Sequence, residues 1–194
     1  MKTLETPRLI LRPYTPDDAD FVLDLYSRLE VQRYIGTTPK LMKDKEEAHA
    51  RIEAWTRLDD GTCGVWAVQE RAVQDSAAQE RAAQDSAASG RLVGTLLLKP
   101  IPASGPEPVP SGDIEIGWHL HPRFWGRGYA SEAGAAVLAR AFSAGLPRVV
   151  AVTNPANMAS QRVCVKVGLK PEGSTDRYYN TVCALFSADN PGSA

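Results

Sequence analysis

Strand-like and helix-like segments alternate along this chain of 194 residues, and that order predicts an α/β (α+β) fold with helices covering one mixed sheet. Three observations carry the prediction. Apolar runs such as residues 8–14 and 148–153 are strand-like, whereas Phe21, Val22, Leu25, Tyr26 and Leu29 recur at helical spacing. Thr15, Pro16, Asp17 and Asp18 supply a helix start: an N-cap, a proline at the first helical position and acids facing the dipole. Gly168, free to take the left-handed conformation, closes a helix over residues 157–167.

In chain order, the strand at residues 8–14 leads into the helix opened by Thr15. A second helix covers residues 45–58 and buries Ala48, Ile52 and Trp55. Residues 63–70 and 91–99 read as the two strands of a hairpin. Residues 100–112 hold five prolines and read as a loop. A strand at 113–121, a helix at 130–144, a strand at 148–153, the helix at 157–167 and a last strand at 178–186 complete the order.

One feature stands outside this pattern. Residues 69–78, QERAVQDSAA, are repeated at 79–88 as QERAAQDSAA. Two copies are too few for a solenoid. The composition favours helix, yet ten residues turn successive copies about 280° apart, so no single apolar stripe runs through both. The duplication reads as an exposed insertion in the hairpin turn, with a partner-binding arm as the other reading. Without the duplication, residues 100–112 and the tail from 187, about 150 residues remain, so residues 1–194 form a single domain.

Composition narrows the function. Lys and Arg number 22 against 23 Asp and Glu, a net charge of −1. That balance argues against a nucleic-acid-coating protein and a polybasic membrane binder. With 43% hydrophobic residues the chain can bury a core, and no apolar stretch is long enough to span a bilayer. No signal-peptide pattern opens it, and Cys63, Cys164 and Cys183 form no CxxC pair. A cytoplasmic protein without structural zinc is expected.

The most informative run is EIGWHLHPRFWGRGYASEA, residues 115–133. A strand, a glycine-bearing turn and a helix start together aim free backbone N–H groups where a phosphate or pyrophosphate binds. Gly126 and Gly128 allow close approach, and Arg123 and Arg127 add charge. A Rossmann fingerprint fails because Ser131 occupies the position of its third glycine, and the Gly-Lys-Ser/Thr of a Walker loop is absent. Glycines before a helix also serve simple turns.

Arg123-x-x-Gly126-x-Gly128 resembles the Arg/Gln-x-x-Gly-x-Gly/Ala loop of the GNAT superfamily of acetyl-CoA-dependent N-acetyltransferases. The surrounding run resembles the RimJ/RimL branch, which acetylates protein N-termini and related amines. TPRLILRPYTPDDA (residues 6–19), the Arg33-Tyr34 pair and NPANMASQRVCVKVGLK (residues 154–170) agree with that branch. The resemblance runs from residue 3 to about residue 186, apart from the two insertions.

It implies a mostly antiparallel central sheet of about six to seven strands covered by about four helices. The fourth and fifth strands, here 113–121 and 148–153, would splay to admit the pantetheine arm. Main-chain groups at Leu120 and His121 would contact that arm, and the N–H near Leu120 would polarise the thioester carbonyl. Arg123, Gly126, Arg127, Gly128, Tyr129, Ala130 and Ser131 would bind the pyrophosphate. Asn157 would hydrogen-bond the arm, although an N-cap is its other reading. Acetyl-CoA is the implied co-substrate, with no metal.

The implied reaction is direct attack of a neutral amine on the thioester. Glu115 is the candidate base, with a pocket-lining acid as its other reading and His119 as the alternative base. The superfamily's acidic tyrosine is replaced by Cys164, which equally reads as a buried helix residue. Ser160 is placed to hydrogen-bond the departing thiolate. His119-x-His121 lacks an obvious third metal ligand. Trp118 and Trp125 read as packing residues. The amine acceptor could be a protein N-terminus, an amino acid, a polyamine or an aminoglycoside-like antibiotic, with no nucleic acid or membrane partner, and a homodimer is allowed for. The competing function is a non-catalytic acyl-CoA sensor or interaction domain.

Overall fold

The computed structural model describes residues 1–71, 90–107 and 109–192. It holds one eight-stranded sheet, β1 (Leu4–Glu5), β2 (Leu9–Pro13), β3 (Gly64–Glu70), β4 (Leu92–Pro102), β5 (Pro110–Leu120), β6 (Arg148–Thr153), β7 (Lys170–Thr175) and β8 (Cys183–Asp189). Their spatial order is β1-β2-β3-β4-β5-β6-β8-β7. Every neighbouring pair is antiparallel except β5 with β6, which is parallel. The α-helices are α1 (Ala19–Tyr26), α2 (Leu29–Gln32), α3 (Lys45–Thr56), α4 (Tyr129–Ser143) and α5 (Met158–Val167). None of the described helices is long and apolar enough to cross a membrane.

Strand alternation sorts the core into two layers. Trp66, Leu96, Leu98, Ile116 and Leu120 pack with Ala133 and Val137 of α4 and Cys164 of α5. Val65 and Ala67 point the other way and pack with Val22, Leu25 and Tyr26 of α1 and with Ala48 and Ile52 of α3. Asp44 caps α3 by accepting a hydrogen bond from the Glu47 N–H at 2.9 Å. Ahead of α1, the Asp18 carboxylate takes two 2.8 Å hydrogen bonds from Arg12 and one from the Thr15 N–H.

Several expectations are corrected. The sheet has two more edge strands than the apolar pattern revealed, because β1 is two residues long and β7 is almost wholly exposed. Residues 100–112 are not one loop: β4 runs on to Pro102 and β5 starts at Pro110. Pro100 is tolerated because β3 stops pairing at Gly64↔Leu98, so no neighbour there requires its N–H. The last strand starts at Cys183, since Tyr179 (φ 58°) and Asn180 (φ 53°) are left-handed and cannot extend a strand. Leu29 belongs to the separate α2 and is exposed rather than part of the α1 stripe. Of the duplicated decapeptides, Gln69 and Glu70 end β3, and residues 72–88 lie outside the described residues.

Candidate active site

β5 and β6 pair at Glu115↔Val150 and nowhere beyond it, so the two strands part towards Leu120 and Thr153. A cleft of about 690 Å³ occupies the opening and is walled from both layers of the molecule. The His121 N–H donates to the Val93 carbonyl at 2.9 Å, which fixes the ladder's alternation. Odd-numbered residues of β5 spend their backbone groups on β4, while Trp118 and Leu120 turn theirs into the opening. The Leu120 carbonyl accepts from Trp125 Nε1 at 2.7 Å, so Trp125 does more than pack. The Leu120 N–H faces the gap. His121 does not: its N–H belongs to β4, and its ring, 3.0 Å from the Asp24 carboxylate, is turned to α1. Burial and the nearby Arg28 push that imidazole's pKa down.

The turn after β5 ends in α4, whose N-cap position is Gly128 and which has no side-chain cap. Gly126 (φ 75°) and Gly128 (φ 80°) are both left-handed, and a Cβ at Gly126 would meet nothing within 4 Å. Open space beside an uncapped helix start fits a phosphate group. Glu132, one turn into α4, is drawn outward by Arg8, whose Nε lies 2.7 Å from its carboxylate and whose Nη1 donates to the Arg127 carbonyl at 3.0 Å. Arg8 therefore braces the turn from outside, a contact invisible in the motif. Gly126, Gly128, Tyr129, Ala130 and Ser131 line the cleft. Arg123 and Arg127 do not: Arg123 is exposed, and Arg127 stacks 5.3 Å from the Phe124 ring centre with Nη1 3.9 Å from Glu70.

Asn157 and Ser160 stand together at the start of α5 and line the same wall. Asn157 Oδ1 accepts from the Ser160 N–H at 3.1 Å, so the N-cap role is real. Its Nδ2 is not used by the cap. Cys164 is buried, and burial pushes its thiol up to about 12, which keeps it protonated and unreactive.

Glu115 is buried on the α1–α3 side. Its Oε1 lies 2.5 Å from Lys99 Nζ and accepts a hydrogen bond from the Tyr179 hydroxyl, while Lys99 Nζ also donates to that hydroxyl at 2.9 Å. Burial, and then the charge of Glu115, push the Tyr179 phenol up, so it stays protonated. Neither partner was among the residues singled out from the sequence. Lys99 had a signal, since hairpin register sets it directly opposite Glu115. Tyr179 had almost none: it reaches the site from the loop between β7 and β8. That loop is tied to the β4–β5 turn by Asn180, whose amide exchanges hydrogen bonds with the Gly105 backbone at 2.8 and 3.1 Å. His119 also faces this side, 2.9 Å from the Tyr26 hydroxyl through Nδ1. Burial, with Arg51 and Lys99, lowers its pKa to about 4, a weak base at neutral pH.

An opened sheet of this kind, with a phosphate-type helix start at its mouth and a carboxylate at its vertex, is the architecture of an acyl-group transferase. Comparison with known proteins is specific: the Acetyltransferase (GNAT) domain profile matches residues 8–170. The chain belongs to the GNAT acetyltransferase family and is an acetyl-CoA-dependent N-acetyltransferase. It is 31% identical over 177 residues to the uncharacterized N-acetyltransferase YoaA of Bacillus subtilis (strain 168), covering 90% of this chain and 86% of that one. It is 37% identical over 170 residues to the FsC-acetyl coenzyme A-N(2)-transacetylase of Aspergillus fumigatus, covering 86% of this chain and 64% of that protein. Its fold is similar to that of RimL, the ribosomal L7/L12 α-N-protein acetyltransferase solved with coenzyme A. That match has a TM-score of 0.72 at 17% identity, over 97% of this chain and 98% of the other.

Proposed function

We propose that this protein moves the acetyl group of acetyl-CoA to a primary amine by direct attack, in the manner of the RimJ/RimL-like branch. One observation carries the reading: Glu115 sits at the vertex of the split sheet, in the last residue pair joining β5 to β6. Its side chain faces the α1–α3 layer, whereas the phosphate-type turn and α5 belong to the opposite wall. Donor and acceptor thus approach from opposite sides of the sheet.

Bound acetyl-CoA supplies the activated acyl thioester. Residues 126–131 would hold its pyrophosphate through backbone N–H groups, and Asn157 Nδ2 would hold the pantetheine arm. The Leu120 N–H would stabilise negative charge developing on the thioester oxygen. Glu115 would take the proton of the incoming ammonium, held in orientation by Lys99 and Tyr179. Ser160 would hydrogen-bond the departing sulfur. Supporting this assignment, Cys164 is too firmly protonated to compete, and His119 Nδ1 is engaged by the Tyr26 hydroxyl.

The test has two arms. Acetyl-CoA at saturating concentration should raise the melting temperature, since a ligand selective for the native state stabilises it. Free-thiol release across a panel of amines and peptides should then show turnover. A thermal shift without turnover on any acceptor would make the protein an acyl-CoA sensor, and the absence of both would end the reading.

A further inference from the structure

The acceptor side of the cleft carries a cation that nothing in the acetyl-transfer scheme uses. Arg51, on α3, is half-buried, with its guanidinium 5.1 Å from the Tyr26 ring centre and 6.0 Å from that of Trp55. Stacking of this kind occupies the face of a guanidinium and leaves its N–H donors at the edge. The ion pairs around it are made by others, Lys45 with Asp20 and Lys99 with Glu115, and no described carboxylate pairs with Arg51. Its charge nevertheless acts on the cleft, being the largest contribution after burial to the low pKa of His119. Arg33, stacked 4.6 Å from the Tyr34 ring centre, lines the same side, opposed by the exposed Glu30. Lys99 and Glu115 neutralise each other, so an excess of positive charge faces the acceptor.

We propose that the acceptor is a primary amine carrying a carboxylate several bonds from its nitrogen, and that Arg51 reads that carboxylate. The inference rests on the acetyl-transfer reading above. Spacing sets the distance. Glu115 and His119 share one face of β5 and lie about 13 Å apart along the strand. Arg51 reaches the His119 end through Tyr26, whose hydroxyl touches the imidazole. A carboxylate adjacent to the amine, as in glycine, is too close to bridge Glu115 and Arg51. An ω-amino acid or an acidic side chain near a peptide N-terminus has the length, and a planar carboxylate matches the guanidinium edge. A second ammonium in its place meets like charge.

Thiol release with glycine, ε-aminocaproate, hexylamine and hexamethylenediamine tests this directly. Two tetrapeptide amides, with Glu or Lys in second position, separate the peptide source from the small-molecule source. Wild-type kcat/KM should favour carboxylate over diamine by about tenfold or more, with glycine poor. Arg51→Gln should lower turnover of the carboxylate amines and raise that of the diamine until the ratio approaches one. Arg51→Lys, which keeps a stacked cation, should retain part of the preference, and thermal melts establish that both variants fold. A preference for the diamine, no charge preference, or a preference surviving in Arg51→Gln would overturn the assignment of Arg51. Absence of turnover on every amine would instead remove the acetyl-transfer reading, and this inference with it.

Discussion

Lys99 and Glu115 face each other across the β4–β5 ladder, with the lysine ammonium 2.5 Å from Oε1. A buried carboxylate needs such a partner, because burial alone disfavours its charged form. The pair sets a cation beside the buried carboxylate at the vertex of the split sheet, and Tyr179 donates to the same oxygen.

Glu115→Gln keeps the shape and loses the ability to take a proton. We expect kcat to fall roughly a hundredfold or more, with the acetyl-CoA dissociation constant nearly unchanged, because the phosphate-type turn belongs to the opposite wall. Lys99→Met should leave Glu115 buried without its ion-pair partner, and breaking a buried pair from one side is destabilising. A denaturant melt should show that loss, and steady-state kinetics a fall in kcat of about tenfold or more. An unchanged kcat in the destabilised variant would show that the pair plays no part in proton transfer.

Tyr179→Phe removes one donor from Glu115. Since burial and the neighbouring carboxylate push the phenol up, it does not titrate in the assay range and contributes no alkaline limb to the wild-type profile. The variant should lose about tenfold in kcat and about 1 kcal/mol of stability, the ordinary contribution of one hydrogen bond. Steady-state kinetics and a denaturant melt measure the two effects separately. A fall in stability with kcat intact would make Tyr179 a structural residue only.

What could be read from the sequence follows from how local each signal is. The turn from Arg123 to Ser131 announces itself because glycine spacing and a helix start are local facts, and its two left-handed glycines are found where expected. Glu115 was legible only through the resemblance, as the acid it implies at this strand position. Its partners were not: Lys99 depends on hairpin register, and Tyr179 on two turns stapled by Asn180. Where the side chains of Arg123 and Arg127 turn was not legible, because a positive charge near a glycine turn does not fix its rotamer, and neither lines the cleft. The direction of the His121 N–H, bonded to the Val93 carbonyl, was not legible because one-residue alternation decides whether a backbone N–H faces a neighbouring strand or an open gap. The prolines of residues 100–112 misled because proline is excluded from a ladder only where a neighbour needs its N–H.

Gly126→Ala places a Cβ in open space, so any loss comes from the left-handed backbone rather than a clash. That conformation disfavours an L-residue by about 1–2 kcal/mol, a fall in melting temperature of roughly 2–8 °C for a domain of this size. Relaxation of the turn should also weaken acetyl-CoA binding, measurable by titration calorimetry. An unchanged affinity beside the expected thermal loss would show that the turn does not hold the cofactor.

The Arg12–Asp18 pair predicts a pH dependence of folding. Burial raises the Asp18 pKa, but the bonds from Arg12 and the Thr15 backbone outweigh it and hold the value below normal. A carboxylate depressed in the folded state contributes stability above its unfolded pKa, about 3.9, and loses it as pH falls through the folded value. Asp18→Asn should therefore be less stable than wild type by about 2 kcal/mol at pH 7. The difference should shrink below pH about 4. A gap constant from pH about 7 down to about 2 would mean that shape, not charge, makes the contribution.

Gly94 links the sheet to the opening most directly. It faces Leu120 across the β4–β5 ladder, and a Cβ there would lie 2.5 Å from the His119 carbonyl oxygen and 2.9 Å from the Leu120 Cα. Both obstacles are backbone, so β4 and β5 must separate to admit a methyl group. Overpacking of this kind destabilises by about 1–3 kcal/mol. Because the displaced segment carries the Leu120 N–H, the same change should lower kcat, while the turn beyond Pro122 still binds acetyl-CoA. Gly94→Ala should accordingly show a depressed melting temperature, near-normal cofactor affinity and at least a tenfold fall in kcat, the scale on which loss of one well-placed oxyanion donor is felt. Unimpaired turnover in the destabilised variant would show that the Leu120 N–H is not the group that stabilises the thioester oxygen.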